Sequence, residues 1–207
     1  MTELPIDTAG LLAIAAALGW ASGLRLYAVV FLTGLAGYLG WVQLPSGLQL
    51  LQSYPMLGAS GLMLFVEFFA DKIPGLDSLW DTVHTLVRIP AGAGLAAAVF
   101  GADQSSWAMA AALMGGTLAA TSHVAKATTR AALNTSPEPF TNIGMSLLGD
   151  GVVPVSLWLS WTHPELFCAA LAVARVGMVA LIWALAKFLR RLVQRVSDWL
   201  GAGQTST

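Results

Sequence analysis

Six apolar runs, at about 8–40, 55–71, 77–100, 106–133, 141–161 and 164–186, fill most of a 207-residue chain. A helix needs about 20 predominantly apolar residues to cross a bilayer, and several of these runs approach or exceed that length. Charged residues make up only 10% of the chain, against about 25% in soluble domains, so a soluble all-helical protein fits poorly. The expected fold class is all-α: one integral membrane domain over residues 1–207, a bundle of about six transmembrane helices. The lipid bilayer is the expected partner. A net charge of −1 offers nucleic acid no electrostatic hold. The lone cysteine, Cys168, lies inside an apolar run and reads as a packing residue that cannot form an internal disulfide.

The punctuation between the runs sets the expected topology. The N-terminus is acidic where a cleaved signal peptide would be basic, so the first run reads as a retained helix capped by Asp7 or Thr8. Gly19-x-x-x-Gly23 permits close helix contact; the glycines serve as packing sites or allow a break near Gly23. Residues 41–54 read as a loop. Lys72-Ile-Pro-Gly75 ends the second run, and Pro90, Gly92 and Gly94 kink or loosen the third. Residues 187–200 form an amphipathic cytoplasmic helix, continuing the sixth run or lying along the interface, and 201–207 a disordered tail. Lys187, Arg190, Arg191 and Arg195 hold four of the ten basic residues within nine positions, which puts the C-terminus in the cytoplasm. Six spans put the N-terminus there too, and the outer connections at 41–54, 101–105 and 161–164 then contain no Lys or Arg. An internal echo relates Asp71-x-x-Pro74…Ser78-Leu-Trp80…His84 to Asp150-x-x-x-Pro154…Ser156-Leu-Trp158…His163. It marks a 3+3 inverted repeat of the transporter kind, or arises by chance in so biased a composition.

Charge is concentrated where a lipid-like chain would least tolerate it. Asp77, Asp81, His84 and Arg88 are spaced 4, 3 and 4 apart, which on a helix puts them on one stripe roughly 60° wide. Glu67 and Asp71 lie just before them. His123, Lys126 and Arg130 form a second stripe, spaced 3 and 4 apart, with Asn134 one turn on. Arg25, Asp150 and Arg175 fall near mid-span, where an unpaired charge costs at least about 2.5–3.5 kcal/mol, so these three are expected to pair across helices or face water. Lys72 can snorkel to the interface. Five acids (Glu67, Asp71, Asp77, Asp81, Asp150) against six bases (Arg25, Lys72, Arg88, Lys126, Arg130, Arg175) suit an internal salt-bridge network.

The expected function is a small transporter or channel-like protein. Its pathway for an ion, proton or small solute is lined by Glu67, Asp71, Asp77, Asp81, His84, Arg88, His123, Lys126, Arg130, Asn134 and Asp150. One alternative is a lipid-handling or intramembrane enzyme acting on an anionic head group, with His84 and Asp81 as an acid–base pair and Lys126 and Arg130 clamping the phosphate. The other is a structural or assembly protein whose charges only lock helices together. The interleaved Lys and Arg argue against a metal among these acids and histidines. No nucleophile elbow and no phosphate-cradling Gly-rich loop occurs, so no catalytic residue and no cofactor is assigned. A chain this small encloses only a narrow path, and a wider one needs a homo-oligomer.

The stretch Val66-Glu-Phe-Phe-Ala-Asp-Lys-Ile-Pro-Gly-Leu-Asp-Ser-Leu-Trp-Asp-Thr-Val-His-Thr-Leu-Val-Arg-Ile-Pro-Ala-Gly-Ala93 resembles the signature of a bacterial membrane family, domain of unknown function 4126. The resemblance extends through Ser22-Gly-Leu-Arg-Leu-Tyr27, His123-x-x-Lys126-x-x-x-Arg130-x-x-x-Asn134-Thr-Ser136 and Asn142…Ser146…Asp150, covering most of residues 10–160. Gly149 departs from it, standing where an acid is expected before Asp150. The resemblance implies a multi-pass protein of the bacterial inner (cytoplasmic) membrane and brings no established activity.

Overall fold

The computed structural model describes residues 7–73, 75–135 and 139–202, with residues 139, 142 and 196–202 described by backbone only. Six α-helices follow one another: α1 (Thr8–Tyr38), α2 (Tyr54–Ala70), α3 (Leu76–Ala98), α4 (Ser105–Leu133), α5 (Pro139–Thr162) and α6 (Pro164–Ala202). A short 3-10 helix, Ser46–Gln52, precedes α2. The described residues contain no strand, and the fold is all-α.

α1 is the axis of the bundle and packs against every other helix. Its start is fixed by Asp7, whose Oδ1 accepts the Gly10 N–H at 2.8 Å, satisfying a donor that the first helical turn leaves free. Its small side chains make the central position tenable. Ala13, Ala15, Ala16, Ala17 and Ala21 are all buried, so neighbouring backbones come close. At one close seam a Cβ on Gly19 would collide with the Gly115 backbone of α4, and a Cβ on Gly115 would in turn collide with Ala96 of α3. Small residues at such seams are how helices associate where lipid supplies no hydrophobic drive. α1 also breaks: Arg25 has φ −148° and ψ 87°, outside the helical range. The break falls two residues after Gly23, so the Gly-rich segment provides both the close seam and the interruption.

The 41–54 segment is not a simple loop, because Ser46–Gln52 folds as a 3-10 helix that buries Leu48 and Leu51. Between α2 and α3 the chain turns at Gly75, whose φ of 87° is one that L side chains rarely adopt; Pro74, expected to help break the helix, lies outside the described residues. Asp77 then folds its carboxylate back onto the turn, accepting the N–H groups of Gly75 and Ser78 at 2.9 and 2.6 Å. α3 runs on through Pro90, Gly92 and Gly94 without interruption. Thr162 ends α5, and its hydroxyl donates to the Trp158 carbonyl. α6 continues unbroken from Pro164 to Ala202, so the amphipathic stretch from Lys187 extends the sixth helix and Gly201 and Ala202 belong to it. The side chains of Val196, Asp198, Trp199 and Leu200, and the tail 203–207, lie outside the described residues.

Four helical stretches are long and apolar enough to cross a membrane: Thr8–Tyr38, Ser105–Leu133, Ile143–Thr162 and Pro164–Arg195. The 3-10 helix and α2, bent by 70° at their junction, make a fifth if taken as one span. α3 does not pass, because its charged stripe dilutes its hydropathy. The bundle nonetheless buries a charged cluster and turns many large apolar side chains outward. Leu86 on α3 is 83% exposed while Arg88, two residues on, is 0% exposed. Leu113, Val173, Val176 and Trp183 are likewise exposed. Polar side chains inside and bulky apolar ones outside are what a hydrocarbon solvent selects.

Candidate functional site

The α3 and α4 stripes face one another across the most extensive helix contact in the molecule, and α1, α2 and α5 add charges from the sides. At the sealed end Arg88 is bidentate between two helices, with Nη2 donating to Glu67 Oε1 at 2.7 Å and Nη1 to Asp81 Oδ1 at 2.5 Å. Arg88 and Glu67 are both 0% exposed. Asp81 is shared with Lys126 at 3.2 Å and Arg130 at 3.0 Å. Asp71, at the end of α2, gathers three cations: Arg130 at 2.9 Å, Lys126 at 3.0 Å and Arg25 at 3.1 Å. The Arg25 Nε also meets Asp150 at 2.9 Å, and Lys72 meets the same carboxylate at 3.0 Å. Asp77 sits 3.9 Å from the Arg130 Nε.

Five carboxylates (Glu67, Asp71, Asp77, Asp81, Asp150) thus meet five cations (Arg25, Lys72, Arg88, Lys126, Arg130), and the network is neutral as a whole. Sharing is what makes this tenable, since isolated buried ions cost several kcal/mol each and single pairs often fail to repay it.

The break in α1 is part of the same construction. It brings the Arg25 Nη2 to the Ser146 hydroxyl and carbonyl of α5, at 2.8 and 3.1 Å. At the same level the Leu24 carbonyl accepts from the Lys126 ammonium at 2.9 Å.

The two histidines belong to different environments. His123 Nε2 lies 2.7 Å from the Thr85 hydroxyl, and its Nδ1 lies 3.5 Å from Arg88 Nη1. Arg88 can only donate, so Nδ1 accepts and the proton sits on Nε2. His84 does not pair with Asp81. Its Nδ1 lies 2.8 Å from the Trp80 carbonyl, its Nε2 lies 3.2 Å from the Tyr27 hydroxyl, and its ring stacks on Trp80 at 4.0 Å. An acid–base pair of His84 with Asp81 is therefore not formed, because the backbone carbonyl one turn back has taken the facing nitrogen. Asn134 donates to the Ser78 hydroxyl at 2.9 Å and reaches Asp77 at 3.4 Å. Of the three expected mid-span pairing residues, Arg25 and Asp150 pair with each other. Arg175 makes no ion pair among the described residues and sits half-buried on the loosely packed α6.

The family called Domain of unknown function (DUF4126) matches residues 12–204. The chain belongs to this family. The match spans both stripes, the α1 break and α5, so every charge in the network falls inside it. No curated protein and no solved structure matches the chain.

Sequence reasoning missed several participants from this family member's network. Ser146 is 121 positions from Arg25 and carries no charge to mark it. Thr85, Trp80 and Tyr27 hold the histidines but look like ordinary helix residues in the sequence. Lys72, expected to snorkel, instead pairs with Asp150 and lies 3.1 Å from the Phe68 ring centre. No group of three or more His, Cys, Asp or Glu among the described residues is placed to hold a metal ion.

One end of the network is not sealed. A cavity of about 350 Å³ lies among α1, α4, α5 and α6, and Arg25, Asp71, Lys126, Arg130 and Ser146 line its polar side. Apart from Thr129 its remaining walls are apolar, among them Met145, Leu148 and Leu181, all of which are also exposed on the molecular surface. The cavity therefore reaches the outside of the bundle between α5 and α6. Glu67, Asp81, His84, Arg88 and His123 do not line it.

Proposed function

We propose that the protein is a small membrane transporter of the bacterial inner membrane, whose substrate is held as an anion in the α1–α4–α5–α6 cavity. All six helices cross the bilayer in this reading, with both termini cytoplasmic. α3 crosses despite its charges because they are spent inside the bundle. The 3+3 inverted repeat rests on the sequence echo alone, since α3 buries its charged stripe while its counterpart α6 leaves most of its surface exposed.

A single observation carries the reading: the open cavity ends on three cationic side chains and one carboxylate, while Glu67, Arg88 and Asp81 at the other end of the network are buried and do not line it. An anion entering there would compete with Asp71 for Arg25, Lys126 and Arg130, and release of the anion would return those cations to Asp71. Such an exchange of partners lets a site bind and discharge without ever leaving a buried charge bare. Glu67, Arg88, Asp81 and His123 hold α2, α3 and α4 in place behind it. A second reading, a purely structural lock, is favoured at that buried end, where Glu67 and Arg88 are fully enclosed and lie outside the cavity's lining.

The test is flux into proteoliposomes loaded with a panel of protons, inorganic ions and small organic anions, comparing the native protein with Lys126→Gln. Anion flux above empty liposomes that falls in the variant is expected. Background flux for every solute, in both proteins, overturns the transport reading.

A further inference from the structure

The cavity on the cationic cluster adjoins a second, wholly different space. A groove of about 470 Å³ runs between α5 and α6, lined by Leu147, Leu148, Val152, Val155, Leu159 and Phe167 among others. Trp20, Leu148, Val152 and Ala174 line both spaces. Each volume is within the range of about 300–1,000 Å³ usual for ligand sites. Along α5 the combined lining runs from Met145 to Leu159, which at 1.5 Å per residue is about 20 Å, close to the roughly 15 Å of one leaflet's hydrocarbon. One end is cationic and the other is apolar apart from Ser156, whose hydroxyl donates to the Val153 carbonyl.

Two buried donors close to these spaces lack acceptors. The Trp20 indole N–H has no hydrogen-bond partner among the described residues, and neither has Arg25 Nη1, which is near Asp71 but not aligned with it. Trp20 is 6% and Arg25 2% exposed, so neither donor has ready access to bulk water, and an unpaired buried donor is costly. Gly149 leaves room beside them. A Cβ there would stand 3.7 Å from the Arg25 Nε, and the position lines the cavity. A cationic, donor-rich pocket joined to an apolar groove open to the lipid-facing surface is complementary to one class of molecule.

We infer, on the basis of the transport reading above, that the ligand of this site is an anionic phospholipid. Its phosphate lies against Arg25, Lys126 and Arg130, and one acyl chain lies in the α5–α6 groove. The lipid enters sideways from the leaflet rather than from water. The chain supplies the apolar contact, and the phosphate supplies an acceptor for the cationic cluster beside which the Arg25 Nη1 and Trp20 donors lie unpaired.

Binding is measured on the full-length protein in detergent micelles by native mass spectrometry, titrating phosphatidylglycerol, phosphatidylcholine and inorganic phosphate. Phosphatidylglycerol is expected to bind about tenfold more tightly than phosphatidylcholine, because phosphatidylcholine brings a quaternary ammonium to the same cations, and about 1.4 kcal/mol of like-charge repulsion is a factor of ten. Gly149→Glu, which puts a carboxylate beside Arg25, is expected to remove that preference, while Gly149→Gln, of equal bulk, keeps most of it. Circular dichroism confirms that both variants are folded, and the glutamine variant preserves the comparison if the glutamate variant is not. Equal binding of the two lipids overturns the inference, as does equal loss in both variants or displacement of the lipid by inorganic phosphate at equal concentration. Anion flux in proteoliposomes without lipid preference overturns this inference alone. Lipid preference lost only in Gly149→Glu, in a protein with background flux, supports the lipid site and overturns only the transport reading.

Discussion

Replacing Arg88 by methionine should destabilise the protein far more than a surface charge change would. Arg88 is 0% exposed, and it is the only cation within ion-pair distance of Glu67 among the described residues. The two partners of Arg88 respond differently to its loss. Asp81 keeps Lys126 and Arg130 at 3.2 and 3.0 Å, so its charge remains compensated. Glu67 keeps nothing comparable, and its second oxygen already lacks a hydrogen bond. Removing one member of a buried pair costs about 3–5 kcal/mol, and here nearly all of it comes from the stranded Glu67. At about 2–4 °C per kcal/mol for a chain of this size, Arg88→Met should lower the melting temperature by about 6–20 °C. Melting followed by circular dichroism in detergent measures it. The double variant Glu67→Gln/Arg88→Met removes the stranded charge and should recover about 2 kcal/mol or more of the loss. A single variant that melts with the native protein, or a double variant less stable than the single, would refute the reasoning.

Asp150→Asn should cost only about 1 kcal/mol or less, because Lys72 and Asp150 are part-exposed and Arg25 keeps Asp71; a melting loss as large as that of Arg88→Met would contradict this. Gly115→Leu should be severe, since even a Cβ there would press on Ala96 of α3; overpacking of this kind costs about 1–3 kcal/mol or more, seen as a lowered melting temperature or failure to accumulate in the membrane. Tyr27→Phe removes only the 3.2 Å contact to His84 and should cost about 0.5–1.5 kcal/mol, with the rest of the network and its function intact.

How much of this was legible in the sequence depended on whether a signal was local. The α3 stripe could be read because spacings of 4, 3 and 4 fix a helix face whatever surrounds it, and the α4 stripe for the same reason. That two helical stripes of opposite character meet is a modest further step. What they leave over was not legible. Ser146 and the Leu24 carbonyl become ligands of Arg25 and Lys126 only because α1 breaks at Arg25, and backbone carbonyls have no sequence signature at all. His84 looked like a partner for Asp81 by spacing, but the Trp80 carbonyl and the Tyr27 hydroxyl claim both its nitrogens. Arg175 looked obliged to pair, yet α6 packs so loosely that its side chain is not enclosed. The cavity itself arises from that loose packing of α6 against α4 and α5, a global property that no window of sequence reports.

In the transport reading one end of the network is open to a ligand and the other is closed. Two serines separate these cases cleanly, because Ser146 and Ser122 are equally inaccessible, at 2% and 0% exposure. Ser146 lines the cavity, whereas Ser122 lies in the α1–α4 seam with its hydroxyl on the Trp20 carbonyl at 2.6 Å. In a Cys168→Ser background, the rate of modification of Ser146→Cys and Ser122→Cys by a small anionic thiol reagent is the direct measurement. The account predicts that Ser146→Cys reacts, more slowly when phosphatidylglycerol is present, and that Ser122→Cys does not. Equal reactivity of the two positions, or none at either, would contradict it.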